Sequence, residues 1–213
     1  MTANSLPIFS TLDPKAMAKE CETLLADSRQ QVAAVVADVR SPDWDNLMAP
    51  LEEIDDKIGR FWAPMSHLHS VLSGEAWREA YSNCLPLLTA YNSEMGQNRP
   101  LFDRVQAFAD SGECQALPVP RQKAVANMLR DFTLSGVALD GENARRFAAI
   151  QQRLSELSTG FSNNVLDATD GWEKIIDDAN DLAGVPATVL DNLRESAKAK
   201  DLQGYRLSLD IPS

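Results

Sequence analysis

The sequence predicts a mainly α fold: a bundle of long, partly kinked antiparallel helices with a small β-ribbon near the C-terminus. Three observations carry this. From residue 47, apolar side chains fall at Leu47, Leu51, Ile54, Ile58, Phe61, Met65, Leu68 and Leu72. That alternation of four and three is one stripe of a long helix. A second run, Trp77, Tyr81, Cys84, Leu88, Tyr91, Met95, Asn98, Phe102, Val105 and Ala109, keeps the same rhythm. Only after residue 170 do short stretches of strand type, WEKIID and GYRLSLDI, replace it.

In chain order, Asp13-Pro14 opens a first helix carrying Met17, Cys21, Leu24, Val32, Val35 and Val39. The second helix starts at Ser41-Pro42, a capping hydroxyl followed by a proline where no backbone donor is needed. Pro50 lies off its stripe, and Pro64 sits deep enough to kink or split it. In the next segment Pro86, Gly96 and Pro100 should bend or interrupt the helix. Pro120 opens a shorter helix with Val125, Leu129 and Phe132, and Ser135-Gly136 stops it. A further stripe reads Phe147, Ile150, Leu154, Leu157 and Phe161. The last helix, PATVLDNLRESAKAK, enters at Pro186 between the two strand-like stretches. The expected organisation is a helical lobe over 1–170 and a small α+β segment over 171–213. A lone two-stranded ribbon is marginal in water, so more polypeptide is expected beyond Ser213.

Composition narrows the function. The 213 residues are 44% hydrophobic and 24% charged, as in an ordinary globular chain. A net charge of −11 argues against binding nucleic acid, which takes clustered Lys and Arg, and against anionic membrane surfaces. Cys21, Cys84 and Cys114 are odd in number and form no CxxC pair, so reduced thiols in a cytoplasmic protein are expected. The first residues show no secretory signal, and no apolar run approaches the roughly 20 residues that span a bilayer.

No catalytic, cofactor-binding or metal residue emerges from the motifs. His67 and His69 are two apart. On a helix they point about 200° from each other, whereas a helical metal pair needs a spacing of three or four. They are expected to flank the packed stripe as polar residues. HExxH, GxSxG, GxxxxGK[ST] and GxGxxG motifs are missing. The carboxylates of EEIDD at 52–56, Glu52, Asp55 and Asp56 among them, lie off the stripe and read as a solvated face. In FSNNVLDATDGW, Asn164 falls where the stripe expects an apolar side chain, so a buried amide is expected there, one that fixes packing register or, as the alternative, helps line a groove.

Five stretches, in order, carry a further signal: PLEEIDDKIGRFWAPMSHLHSVL, REAYSNCLPLLTAYNSEMGQN, QKAVANMLRDFTLSGVAL, RLSELSTGFSNNVLDATDGW and LDIPS. Together they resemble the N-terminal part of the thimet-oligopeptidase family of zinc metalloendopeptidases, from about residue 41 to the end, with RDFTLSG and SNNVLDAT the most specific. The first forty residues match loosely. The resemblance implies two mostly helical lobes around a deep channel in which short peptides are cleaved internally. It implies a zinc held by the two histidines of an HExxH helix and a later glutamate, in the second half of a much longer chain. No position here matches those ligands, so none is assigned. What the resemblance implies for this segment is the non-catalytic lobe, one channel wall that excludes large folded proteins. YRLSLDIPS then leads toward a catalytic lobe absent from this chain. The competing reading is a stand-alone helical module that binds peptides or proteins without cutting them.

Overall fold

The computed structural model describes residues 7–72 and 74–209. The closing DIPS, and with it the end of the second predicted strand, lies outside the described residues. The chain divides into two compact units between Ser155 and Glu156. It is predominantly helical, with a two-stranded antiparallel ribbon near its end, as the periodicity predicts.

In the first unit, helix α1 spans Pro14–Ala37 and begins as expected: the Asp13 carboxylate accepts from the Lys15 N–H, with proline in the first turn. Its buried stripe is Met17, Cys21, Leu25, Ser28, Val32 and Val35. Val39, expected on the stripe, lies past the helix end and is 98% exposed. Leu25, and not the expected Leu24, continues the stripe after Cys21, and Ser28 fills the gap before Val32. The Ser28 hydroxyl turns back to donate to the Leu24 carbonyl at 2.8 Å, which makes its burial tolerable.

The next helix does not start at Ser41. Asp43 is the cap: its carboxylate accepts from Asn46 N–H at 2.7 Å while the Asn46 amide oxygen accepts from Asp43 N–H at 3.1 Å. This reciprocal box beats a lone hydroxyl because it satisfies two orphan donors. It opens a π-helical turn, Trp44–Met48, that runs into α2, Ala49–Leu72. Pro50 lacks the N–H that would bind the carbonyl four residues back, and the widened turn accommodates that missing rung. Pro64 does not split α2. It is itself buried, with Met65 and Leu68 packed after it.

Helix α3, Glu75–Gly96, runs through Pro86. The predicted interruption falls at Asn98, which leaves the stripe to cap α4, Arg99–Ala109, by accepting from Leu101 N–H. After the single turn α5, Gly112–Gln115, helix α6 spans Val119–Leu134. It ends where Ser135-Gly136 predicts. Gly136 has φ of +82°, and the N–H groups of Val137 and Gly136 bind the carbonyls of Phe132 and Thr133. That pairing needs a residue tolerant of the left-handed region, which glycine is.

Two apolar clusters hold this unit. One joins Met17, Cys21 and Leu25 of α1 to Met65 of α2 and to Ala80, Cys84, Leu88 and Tyr91 of α3. The other joins Val32 and Val35 to Leu51 and Ile54, with Val105 and Phe108 of α4 and Val125 and Phe132 of α6. The start of α1 thus meets the end of α2, and its end meets the start of α2, so the two run antiparallel. Cys21 and Cys84 are both completely buried. The Cys84 thiol beside it, and then burial, hold Cys21 well above the ordinary thiol range. All three cysteines are free and buried.

Helix α7, Gly141–Gly171, contains the division between the units. In the second unit β1, Glu173–Ile176, pairs antiparallel with β2, Tyr205–Ser208, with Ile176 opposite Tyr205. Between them lies α8, Ala187–Lys198. Leu182, Ala197 and Tyr205 are the buried residues among those described in this unit. Arg194 donates to the Tyr205 hydroxyl at 2.6 Å and lies over its ring. Arg206 reaches Glu173 at 2.8 Å and Ser196 at 3.0 Å, and with Lys200 it lowers the Glu173 carboxyl below its ordinary value. The ribbon is therefore backed by a helix and is not left bare.

Phe108 is completely buried. Phe108→Ala is expected to cost about 3–5 kcal/mol of unfolding free energy by loss of transfer and opening of a void, measured by urea denaturation followed by circular dichroism.

Candidate functional site

The histidines part company. His67 is exposed against Phe9, with ring centroids 5.5 Å apart. His69 is buried and stacks on Tyr81 at 4.1 Å with the planes 16° apart. Both were expected at the edge of the stripe, but His69 lies inside it, because the aromatic face of Tyr81 offers a partner that periodicity does not report. Among the described residues no three of His, Cys, Asp and Glu are grouped so as to hold a metal ion. The donor set here does not fit a zinc site of three protein ligands.

The acidic run behaves as a helix face. Glu52, Glu53, Asp55 and Asp56 are exposed, and Asp56 pairs with Arg60 one turn on at 2.5 Å. Asp55 also lines a cleft of about 150 Å³ in the first unit, together with Tyr91, Met95, Gly96, Asp131 and Ser135. Desolvation there, and then Glu52, raise the Asp55 carboxyl above its ordinary value. Tyr91, buried between the helices, is pushed up to about 12 by burial and then by Asp55, against the opposing pull of Arg29 over its ring. The floor is tight where Gly96, the last residue of α3, meets Ser135, just past the end of α6. A β-carbon on Gly96 would lie 2.5 Å from the Ser135 β-carbon, closer than such atoms come.

The largest departure from expectation is α7. The stripe from Phe147 to Phe161 has the spacing of a core face, yet none of the helix's 31 residues is fully buried. Phe147 is half-buried beside Gly136. The Ser155 hydroxyl hydrogen-bonds Thr89 of α3 at 2.8 Å. Leu154, Leu157 and Phe161 are 55%, 52% and 71% exposed. Asn164, expected buried, is exposed. Its neighbour Asn163 carries the buried amide, with an Oδ1 that has no hydrogen-bond partner among the described residues.

Comparison with known sequences locates the chain. A model of the neurolysin and thimet oligopeptidase N-terminal domain matches residues 21–144. The chain belongs to the neurolysin/thimet oligopeptidase family. It is 42% identical to oligopeptidase A of Haemophilus influenzae, 44% to that of Salmonella typhimurium and 43% to that of Escherichia coli. Each alignment covers 213 residues, all of this chain, and so takes in the first forty residues as well. In each case the chain spans 31% of the relative's length. What the described residues present is the helical N-terminal domain of this family. Within it, no helix is long and apolar enough to cross a membrane among the described residues.

Two outcomes follow for the cleft and the strip. The raised Tyr91 hydroxyl loses its proton later in the folded state than in the unfolded one. Its contribution to stability is therefore complete below about pH 10, the ordinary tyrosine value, and is lost as pH rises toward 12. Urea midpoints between pH 9 and 12 should fall less steeply in Tyr91→Phe than in the unaltered chain. Phe161→Ser, by contrast, should change the unfolding free energy by less than about 0.5 kcal/mol and reduce binding of an apolar dye.

Proposed function

We propose that this chain is the non-catalytic helical domain of a longer zinc metalloendopeptidase of the oligopeptidase A type. In that reading it forms one wall of the channel through which short peptides reach a catalytic lobe, and residues 171–213 lead toward that lobe. The observation that carries the reading is the match over the whole chain to relatives of which it makes up 31%. The chemistry agrees. Cleaving an amide through zinc takes three protein ligands, an open position and a base. The grouping that would supply them is lacking among the described residues. The domain's contribution is then shape: a rigid helical wall that admits extended peptides and turns folded proteins away. Its net charge of −11 would favour approach by basic peptides over acidic ones. The reading places the protein in the cytoplasm, consistent with three free, buried thiols.

The bare strip on α7 favours a second reading, a stand-alone helical module that captures peptides or proteins without cutting them. The two separate experimentally. The purified 213-residue chain, with and without added zinc, should leave a mixture of short peptides intact. A fusion in which it replaces the matching segment of the Escherichia coli relative should cleave them. Hydrolysis by the isolated chain defeats the first reading. An inactive fusion, together with peptide binding by the isolated chain, supports the second.

A further inference from the structure

We infer that the cleft of the first unit is a binding site for a small organic ammonium ion, one aromatic ring in size, whose charge pairs with Asp55. The site lies wholly within the first unit and does not depend on the peptidase reading. Helices α1, α2, α3, α4 and α6 all contribute to its walls, and Val32, Leu51, Ile54, Leu101 and Phe132 on them are buried core side chains. A ligand entering the cleft therefore meets core-like apolar surface, as small-molecule sites present it around a few polar groups. Volume sets the size. An apolar cavity of about 150 Å³ accepts benzene, and this cleft has that volume.

Charge sets the class. Of the two carboxylates in the lining, Asp131 is already paired with Arg130 at 2.8 Å. Arg29, which lies over the Tyr91 ring, is held by Glu94 at 2.6 Å. Asp55 has no ion pair or hydrogen bond among the described residues. Its side chain reaches solvent, which places it at the mouth. The helices around it still withdraw enough water to raise its carboxyl, and Glu52 raises it further. A ligand cation would reverse both effects. An anion would face two carboxylates, and a neutral body would cover Asp55 without pairing it, which is costly. A bare metal ion is not served, since no three of His, Cys, Asp and Glu are grouped among the described residues. Free arylalkylamines and the N-terminal residue of a peptide both carry the required chemistry, an ammonium group beside one apolar ring.

Methionine methyl NMR spectra of the 213-residue chain read the site directly. Met95 and Met128 line the cleft, whereas Met17 and Met65 lie in the other apolar cluster. Phenethylamine should shift the first pair with a Kd of about 1 mM or tighter and leave the second pair in place. Phenethyl alcohol and hydrocinnamate, which keep the ring and lose the cation, should bind at least about fivefold more weakly. Asp55→Asn, an exposed and shape-conserving change, should weaken the amine at least about fivefold and leave the alcohol unaltered. Asp131→Asn, whose charge Arg130 already meets, should weaken it less than about twofold. Still cleft methyls up to about 10 mM phenethylamine overturn the inference. So does equal binding of the alcohol. Equal weakening by the two variants overturns it as well, since the negative field of the chain and not Asp55 then gathers the cation. Phenylalaninamide separates the two sources. Its binding, lost on N-acetylation, extends the site to peptide N-termini, and its failure beside a bound phenethylamine confines the site to free amines. Both results uphold the ammonium site.

Discussion

The first unit depends on one packed stripe, the buried side of α1 from Met17 to Val35. Its first half supplies Met17, Cys21 and Leu25 to one apolar cluster and its second half supplies Val32 and Val35 to the other. Ile58 of α2 and Met95 of α3 touch both. Because cores pack at crystal-like density, a shift of α1 along its axis would disturb both clusters together. The helix is accordingly pinned at each end. Asp13 holds its start, and beyond its last turn the Arg104 guanidinium donates to the carbonyls of Asp38 and Arg40. Asp38 in turn takes hydrogen bonds from Arg40, which hold its carboxyl at about 2.

Much of this is legible in the sequence, because apolar periodicity and proline position act locally. The stripes of α2, α3 and α6 follow from spacing alone, and the Ser135-Gly136 stop follows from the conformational freedom of glycine. What the pattern misses are polar side chains whose partners are distant or unexpected. Ser28 lies in the core because its hydroxyl can reach its own helix. His69 lies there because Tyr81, on the neighbouring helix α3, lays a ring against it. Asn98 keeps the rhythm of the stripe and yet leaves it, since a capping amide just before Arg99-Pro100 is worth more there than within a continued helix. The true start of the second helix rests on a reciprocal pair, Asp43 with Asn46, that a search for single capping residues passes over.

The α7 strip shows a different limit. Periodicity reports which side of a helix is apolar and is silent about what covers it. The residues that read as core in the sequence are exposed in this segment, so the candidate surface became visible only when exposure was set beside spacing. The amide pair illustrates the same point at finer scale. Counting along the stripe selects Asn164, but the atom withdrawn from solvent belongs to Asn163, one position and about 100° around the helix.

The meeting of Gly96 and Ser135 has a consequence for how this domain can change over time. Gly96 closes α3 and Ser135 stands just past the end of α6. A β-carbon at 96 would run into the Ser135 β-carbon and hydroxyl, while the Ser135 main chain stays at ordinary contact distance, 3.9 Å. The space at this point of the cleft wall therefore holds one small side chain, contributed from either side but not from both. Among descendants of this domain the two positions should vary together, with a residue larger than glycine at 96 only where 135 has given up its side chain.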